Sequence, residues 1–183
     1  GIASETGFSR LGCMRSKLRF LAAALGFGAA FLLSTAADFA PRYQAIIDSQ
    51  GKVSEVDRLN ELFKTDWAYT IDTFPEFGTY LGLPGYDTRW TDLSPAAIAE
   101  RKRLGDRPLK VLATIDRAKL SAADRVNYDL FKRQQEEALE GRRFPTELYQ
   151  ITQLGGVQQD AAQMFSMMTN QSTEQLEAQL ARL

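Results

Sequence analysis

Apolar residues recur every three or four positions over residues 54–74, which is the spacing of one face of an α-helix. That face consists of Val56, Leu59, Leu62, Phe63, Trp67, Thr70, Ile71 and Phe74. Ser54 precedes it as a helix-capping residue, with Asp57 three positions further on in a variant of the capping box. The pattern predicts an amphipathic helix from Ser54 that Pro75 weakens locally without necessarily ending it. Glycines and Pro84 then predict a loop over residues 81–95.

Further start and stop signals predict helices along the rest of the chain. Ser94-Pro95 is a capping serine followed by a proline at the first helical position. Gly105 and Pro108 interrupt that helix, and a short helical segment continues toward Asp116. Ser121 opens a helix to about Glu140, with Gly141 at the C′ position. Its buried sector is predicted to contain Val126, Tyr128, Leu130, Phe131, Ala138 and Leu139.

The remaining segments complete an all-α prediction. Residues 37–53 are interpreted as a linker that could contain a short helix at residues 43–48, and residues 144–160 as an extended loop. A last helix spans residues 173–183 and carries Leu176, Leu180 and Leu183. These amphipathic helices should pack as an irregular bundle. Because so few residues are present to cover the apolar faces, the bundle is expected to be part of a larger helical domain.

The N-terminal region has the pattern of a secretory signal peptide. After Met14, three basic residues precede the uncharged stretch FLAAALGFGAAFLL at residues 20–33, and Ser34-Thr35-Ala36 forms a cleavage site for small side chains. Residues 14–36 are therefore predicted to be a signal peptide and residues 1–13 an upstream extension that is not native. The predicted location is the periplasm or the exterior. An uncleaved membrane anchor and a buried core helix are the alternatives.

Composition removes several classes of function. The chain of 183 residues has 22 basic and 23 acidic residues, no histidine and one cysteine, Cys13. Residues 1–36 hold four of the basic residues and one of the acidic ones, so the remainder has a net charge near −4 and no cysteine. This balance gives no electrostatic reason to expect nucleic-acid binding. A chain without cysteine suits an oxidising compartment.

Motifs for chemistry are scarce. HExxH, CxxC and GxSxG motifs are all missing from the sequence. The acidic cluster Glu136, Glu137 and Glu140 is interpreted as a solvated helix face beside Lys132 and Arg133. Trp67 and Trp90 are interpreted as core anchors. Asp87 and Arg89 are expected to form a local ion pair in the polar loop at residues 86–89.

Several stretches, in order, resemble the N-terminal part of the bacterial domain-of-unknown-function family 885. They are FPEFGTYLG at residues 74–82, YDTRW at 86–90, TDLSP at 91–95, IDR at 115–117, LSAADRVNYDL at 120–130 and QLGGV at 153–157. Residues 54–183 are accordingly assigned to a truncated, helical domain of this type.

The resemblance implies an exported, helical protein whose larger C-terminal part is similar to zinc metallopeptidases with a histidine–glutamate motif. No position of this sequence matches that motif, so no catalytic, metal or cofactor residue is carried over. Zinc is possible only in a full-length parent. The chain would supply scaffold and one wall or lid of a substrate cleft, with Tyr86, Asp87, Arg89, Gly155 and Gly156 as cleft-lining candidates.

Two functions therefore stay open. The first is the N-terminal scaffold of an exported, peptidase-like protein, catalytically inactive as it stands. Its expected partners are the rest of the same chain and, in the parent, a peptide substrate, with membrane contact only through the signal segment. The second is a self-contained, exported helical binding module without catalysis. A membrane-anchored structural protein is a third class, and it requires that residues 20–37 remain uncut.

Overall fold

The computed structural model describes residues 39–149, 151–153 and 155–183, and most of these residues are helical. The helices are α1 (Phe39–Asp48), α2 (Glu55–Thr73), α3 (Pro75–Tyr80), α4 (Pro95–Leu104), α5 (Arg107–Leu112), α6 (Ala122–Gly141), α7 (Val157–Met167) and α8 (Thr173–Arg182). Short 3₁₀ turns occur at Arg117–Lys119 and Thr146–Leu148. Within these ranges the only β-type pairing is an isolated bridge between Ile151 and Gly156. The predicted all-α bundle is confirmed.

The main core lies where α1, α2 and α5 meet, closed on one side by α6. Its buried residues come from four parts of the chain, and Tyr128 and Phe131 of α6 pack against them. They are Phe39, Tyr43, Ile46, Leu59, Leu62, Val111, Leu112, Ile115 and Leu120. Burying this many large apolar side chains supplies the main driving force for folding.

Residues 37–53 are not simply a linker: the short helix predicted at residues 43–48 is present, but it begins earlier and packs into the core. Residues 39–48 form α1, and Phe39, Tyr43 and Ile46 are buried on one face of it. The spacing of these three residues is helical, but Pro41 obscured the pattern. A proline is tolerated in the first turn because the N–H it lacks would have no partner there.

The predicted helix starts are confirmed. The hydroxyl oxygens of Ser54, Ser94 and Ser121 accept hydrogen bonds from the backbone N–H groups three residues further on. Helix α2 ends at Thr73, and Pro75 begins the separate helix α3. The break predicted at Gly105 and Pro108 separates α4 from α5. These features were predictable because capping depends on residues close together in the sequence.

The buried sector predicted for α6 is wrong in part. Val126, Leu130 and Leu139 are exposed, whereas Tyr128 and Phe131 are half-buried. In α8, Leu176 and Leu180 are exposed, as is Leu183 directly after the helix, and Arg182 is buried. A helical pattern with apolar residues on two sides does not specify which side faces the core.

Two element boundaries also differ from the prediction. Gly141 belongs to α6, which is capped by Arg142 in the right-handed conformation, so Gly141 is not a left-handed C′ glycine. The expected loop over 144–160 ends at Gly156, because α7 begins at Val157.

The predicted extension at residues 1–13 and the signal peptide at residues 14–36 lie outside the described residues. Among the helices that are described, none combines the length and hydrophobicity needed to cross a bilayer.

Candidate binding groove

A groove of about 690 Å³ lies between α3, the loop after it, α7 and the end of α8. We call it the α7 groove, because α7 supplies most of its wall. Its lining comprises Glu76, Trp90, Thr91, Leu93, Val157, Asp160, Ala161, Gln163, Met164, Phe165, Met167, Arg182 and Leu183. An apolar concavity with a small number of polar groups is the usual form of a ligand site.

Arg182 forms the base of the α7 groove and is only 2% exposed. Its guanidinium donates to the Thr79 hydroxyl at 2.8 Å and to the Arg89 carbonyl at 2.6 Å. It also donates to the sulfur of Met168 at 3.7 Å. These contacts connect the last turn of α8 to α3 and to the loop that follows it. The side chain therefore joins three segments that are distant in sequence.

The charge of Arg182 has no carboxylate within ion-pair distance among the described residues. Burial lowers the pKa of Arg182, while the negative charges of Glu76 and Asp87 act in the opposite direction. The guanidinium lies over the Trp90 ring, 4.7 Å from the ring centre, and gains a cation–π interaction there. Its Nε is buried without a hydrogen-bond partner. The positive charge is thus offset by neutral acceptors, an aromatic face and more distant carboxylates.

Trp90 and Glu76 hold the loop side of the groove in place. The indole N–H of Trp90 donates to the Arg182 carbonyl at 2.7 Å, and its ring meets Phe165 edge-on. The Glu76 carboxylate accepts from the Thr91 backbone N–H at 2.7 Å and from the Thr91 hydroxyl at 2.6 Å. Hydrogen bonds to an ionised group are strong, so the rim at residues 90–91 is firmly fixed to α3.

The opposite wall is mainly apolar and comes from α7. Met164 is buried, Phe165 is half-buried, and Met167 and Val157 are exposed. Asp160, in the first turn of α7, adds an exposed carboxylate. This wall offers flexible thioether side chains that can adapt to the shape of a ligand.

The five cleft-lining candidates from the sequence are not part of the groove lining. Tyr86 packs against α3 so closely that a Cβ on Gly78 would lie 2.6 Å from its ring. Arg89 pairs with Asp72 at 2.9 Å, so the predicted ion pair between Asp87 and Arg89 is wrong. Arg89 also donates to the backbone carbonyl of Asp72 at 3.0 Å, so its guanidinium is held at the last turn of α2.

Gly155 and Gly156 form a turn that leads into α7. The Gly155 carbonyl accepts hydrogen bonds from the backbone N–H and the hydroxyl of Thr152, both at 2.8 Å. Gly156 has φ of 140°, a conformation that favours glycine, and caps α7 directly before Val157 of the groove. These glycines direct the chain into the groove wall and do not line it.

Sequence reasoning missed the residues that build the groove. Val157, Ala161, Met164 and Met168 do follow a helical spacing after Gly156, but glutamines between them masked it. Nothing local marks Arg182 as buried. Trp67 and Trp90 are half-exposed, so their interpretation as core anchors is wrong.

The described residues do not offer a metal site. No group of three or more carboxylate, cysteine or histidine side chains is placed to hold an ion in the part of the chain that the structure describes. The cluster Glu136, Glu137 and Glu140 is exposed, and its members pair with Lys132, Arg133 and Arg143. Its interpretation as a solvated face is confirmed. These donors do not fit the zinc of a metallopeptidase.

Comparison with known proteins identifies a family. The model of a family described as bacterial protein of unknown function, DUF885, matches residues 75–183. No curated protein matches the chain, and no solved structure does. The match begins at α3 and includes every element of the α7 groove. The chain therefore belongs to the DUF885 family of bacterial proteins.

Proposed function

We propose that this chain is the helical scaffold of an exported, peptidase-like protein and that the α7 groove is one wall of its substrate cleft. The observation that carries the proposal is the groove itself, an apolar concavity of about 690 Å³ with Arg182 at its base. It lies within the segment that matches the family. The signal-like pattern at residues 14–36 supports export, and an exported product that begins at Ala37 would test this part.

The groove has features that suit a peptide segment. Apolar side chains of a peptide would pack on Trp90, Leu93 and Phe165. The carboxylates of Glu76 and Asp160 can accept hydrogen bonds from peptide N–H groups at the rim. The role of this chain is then to bind and orient a segment of substrate, not to activate water.

The bond-breaking chemistry is assigned to another part of the protein. The chain has no histidine, so it cannot contain a histidine–glutamate zinc motif. A zinc ion bound elsewhere would supply an activated water. We derive no catalytic step from residues 39–183.

A metal and activity assay tests the scaffold proposal. We expect purified chain to hold no stoichiometric zinc by mass spectrometry, and to cleave a mixed peptide library no faster than buffer. One tightly held zinc per chain, or turnover that a chelator abolishes, would contradict the proposal. Loading the same protein with zinc before the assay is the control for metal lost in purification.

The alternative is a self-contained, exported binding module. It is favoured by the fact that the groove is fully formed from residues of this chain. The two functions are distinguished by the reading frame after Leu183. A continuing frame with a histidine–glutamate motif supports the scaffold, whereas an immediate stop codon supports the module.

A further inference from the structure

Three of the four methionines of the chain occur within five residues, at the C-terminal end of α7. Met164 and Met167 line the α7 groove. Met168 caps α7 and accepts a hydrogen bond from Arg182 through its sulfur. The fourth, Met14, lies outside the described residues. Two thioethers are therefore in the wall of the α7 groove, and the third adjoins it through Arg182.

These methionines differ in their access to solvent. Met167 is 43% exposed and Met168 is half-buried, whereas Met164 is only 7% exposed. Oxidation of methionine needs direct contact between the sulfur and the oxidant, so Met167 and Met168 should react before Met164.

We propose that Met167 and Met168 form a peroxide-sensitive modification site that converts the wall of the α7 groove from apolar to polar. The sulfur lone pair attacks one oxygen of hydrogen peroxide, the O–O bond breaks and an S–O bond forms. The second oxygen leaves as water after taking up both protons. The thioether is oxidised to the sulfoxide and the peroxide is reduced, so atoms and electrons balance.

The position of Arg182 gives this oxidation a structural consequence. The guanidinium donates to the Met168 sulfur, which is a weak acceptor, and its Nε has no partner. A sulfoxide oxygen is a stronger acceptor than a thioether, so the oxidised Met168 side chain remains compatible with the buried charge. At Met167 the same change places a polar group on the groove wall. Oxidation therefore alters what the groove binds without removing the contacts that hold α8.

The experiment uses peroxide together with the apolar dye 1-anilinonaphthalene-8-sulfonate. After brief treatment, peptide mapping by mass spectrometry should find sulfoxide at Met167 and Met168 before Met164. We expect the affinity for the dye to fall about fourfold, the effect of losing roughly one methylene of apolar contact. Incubation with a methionine sulfoxide reductase should restore it.

The matched control is the double variant M167L M168L, because leucine conserves volume and resists peroxide. Its circular dichroism should equal that of the native chain, and peroxide should leave its dye affinity unchanged. A second variant, L93S, locates the dye in the groove by weakening its binding before oxidation. The proposal is overturned if Met164 reacts as fast as Met167, if the double variant loses dye affinity equally, or if L93S binds the dye as well as the native chain.

Discussion

Arg58 is fully buried beside the main core and satisfies acceptors from three segments. Its guanidinium donates to the carbonyls of Ile46 and Thr114 and to the Thr114 hydroxyl, and it pairs with Glu55 at 2.8 Å. The side chain thus connects α1, α2 and the turn after α5. A buried charge is tolerated here because every donor has a partner.

Replacing Arg58 should be severe. We expect Arg58→Met to lower the free energy of unfolding by about 3–5 kcal/mol, because Glu55 loses its ion-pair partner and the carbonyls of Ile46 and Thr114 each lose the guanidinium donor in a largely buried setting. Urea denaturation measures the loss. The control is Arg133→Met, which removes an exposed pair with Glu137 and should change stability by less than about 1 kcal/mol. Equal effects of the two variants would show that the Arg58 network is unimportant.

Asp66 is a half-buried carboxylate held by two neutral donors. Tyr43 of α1 donates to it at 3.2 Å and Gln135 of α6 at 3.1 Å. Burial raises the pKa of Asp66, and the two hydrogen bonds only partly oppose that shift. Burial, followed by the charge of Asp66, raises the pKa of Tyr43. The ionised form of Asp66 is therefore less favourable in the folded chain than in the unfolded one.

The sign of the pH effect follows from this shift. Because the pKa of Asp66 is higher in the folded chain than in the unfolded one, its contribution to stability is fully present below the ordinary aspartate pKa. That contribution is lost as the pH rises through the raised pKa. We expect Asp66→Asn, which keeps the shape and an acceptor for Tyr43, to remove this contribution. The unfolding free energies of the native chain and of this variant are measured between about pH 3 and pH 8, and their difference at each pH gives the contribution of Asp66. A difference that grows in favour of the native chain with rising pH would contradict the prediction.

The burial of Arg58 and Asp66 could not be predicted from the sequence. Arg58 is next to Leu59, and Asp66 is next to Trp67. Helical spacing identifies a face, but it does not say that a charged residue on the edge of that face has partners from other helices. Those partners are 12 to 69 residues away in the sequence. Burial of both groups is therefore a tertiary property.

At the scale of elements, α3 depends on the close approach of Tyr86 to Gly78. An added Cβ at Gly78 would lie 2.6 Å from Cγ of Tyr86, 2.9 Å from its Cδ2 and 3.0 Å from its Cβ. Gly141 at the end of α6 is also helical, but a Cβ there would meet nothing within 4 Å. The two glycines form a natural comparison.

Alanine at these two positions should have opposite effects. Gly78→Ala should destabilise the chain by about 1–3 kcal/mol, because the ring of Tyr86 has to move. Gly141→Ala should stabilise it by up to about 1 kcal/mol through its higher helix propensity. Thermal melting measures both. If Gly78→Ala also raises the melting temperature, the packing of Tyr86 on α3 is not as described.

Helix starts were predictable from the sequence, whereas helix orientation was not. Ser54, Ser94 and Ser121 each act through a backbone N–H three residues away, so the signal is local. In α6, Val126 and Leu130 offer one apolar stripe, and Tyr128 and Phe131 offer another. Contact with α5 and α2 decides between them, as the Tyr128 hydroxyl donating to the Leu112 carbonyl illustrates.

At the scale of the whole molecule, the segment before α7 exposes an unusual amount of apolar surface. Its exposed large apolar side chains are Phe144, Leu148, Tyr149 and Ile151. Leu148 and Ile151 are 76% and 71% exposed. Exposed apolar side chains concentrated in one segment favour association with other protein surfaces.

We expect the chain to self-associate as its concentration rises. The double variant L148E I151E should shift the sedimentation profile toward the monomer without lowering the melting temperature, because both side chains are already in contact with water. The matched control Q134E A138E adds the same charge on the exposed face of α6 and should leave association unchanged. A native chain that stays monomeric at high concentration would contradict the prediction.

The candidate site was the least predictable part of the molecule. The sequence located the polar loop at residues 86–89, and that loop does lie next to the α7 groove, since the Arg89 carbonyl receives a hydrogen bond from Arg182. The groove itself depends on α7 and α8, which return to α3 only in the folded chain. The family resemblance covered the part of the chain that contains the groove, but the residues that line the groove follow only from the tertiary structure.

The hydrogen bonds of Arg182 also bear on the order in which the chain folds. They reach partners 92, 93 and 103 residues earlier in the sequence. Closing loops of that length is entropically costly and slow, so the contacts of α1 with α2 should form first. During synthesis on the ribosome, residues 79–91 cannot form these hydrogen bonds until Arg182 has emerged. Until then these residues are available to chaperones and to proteases.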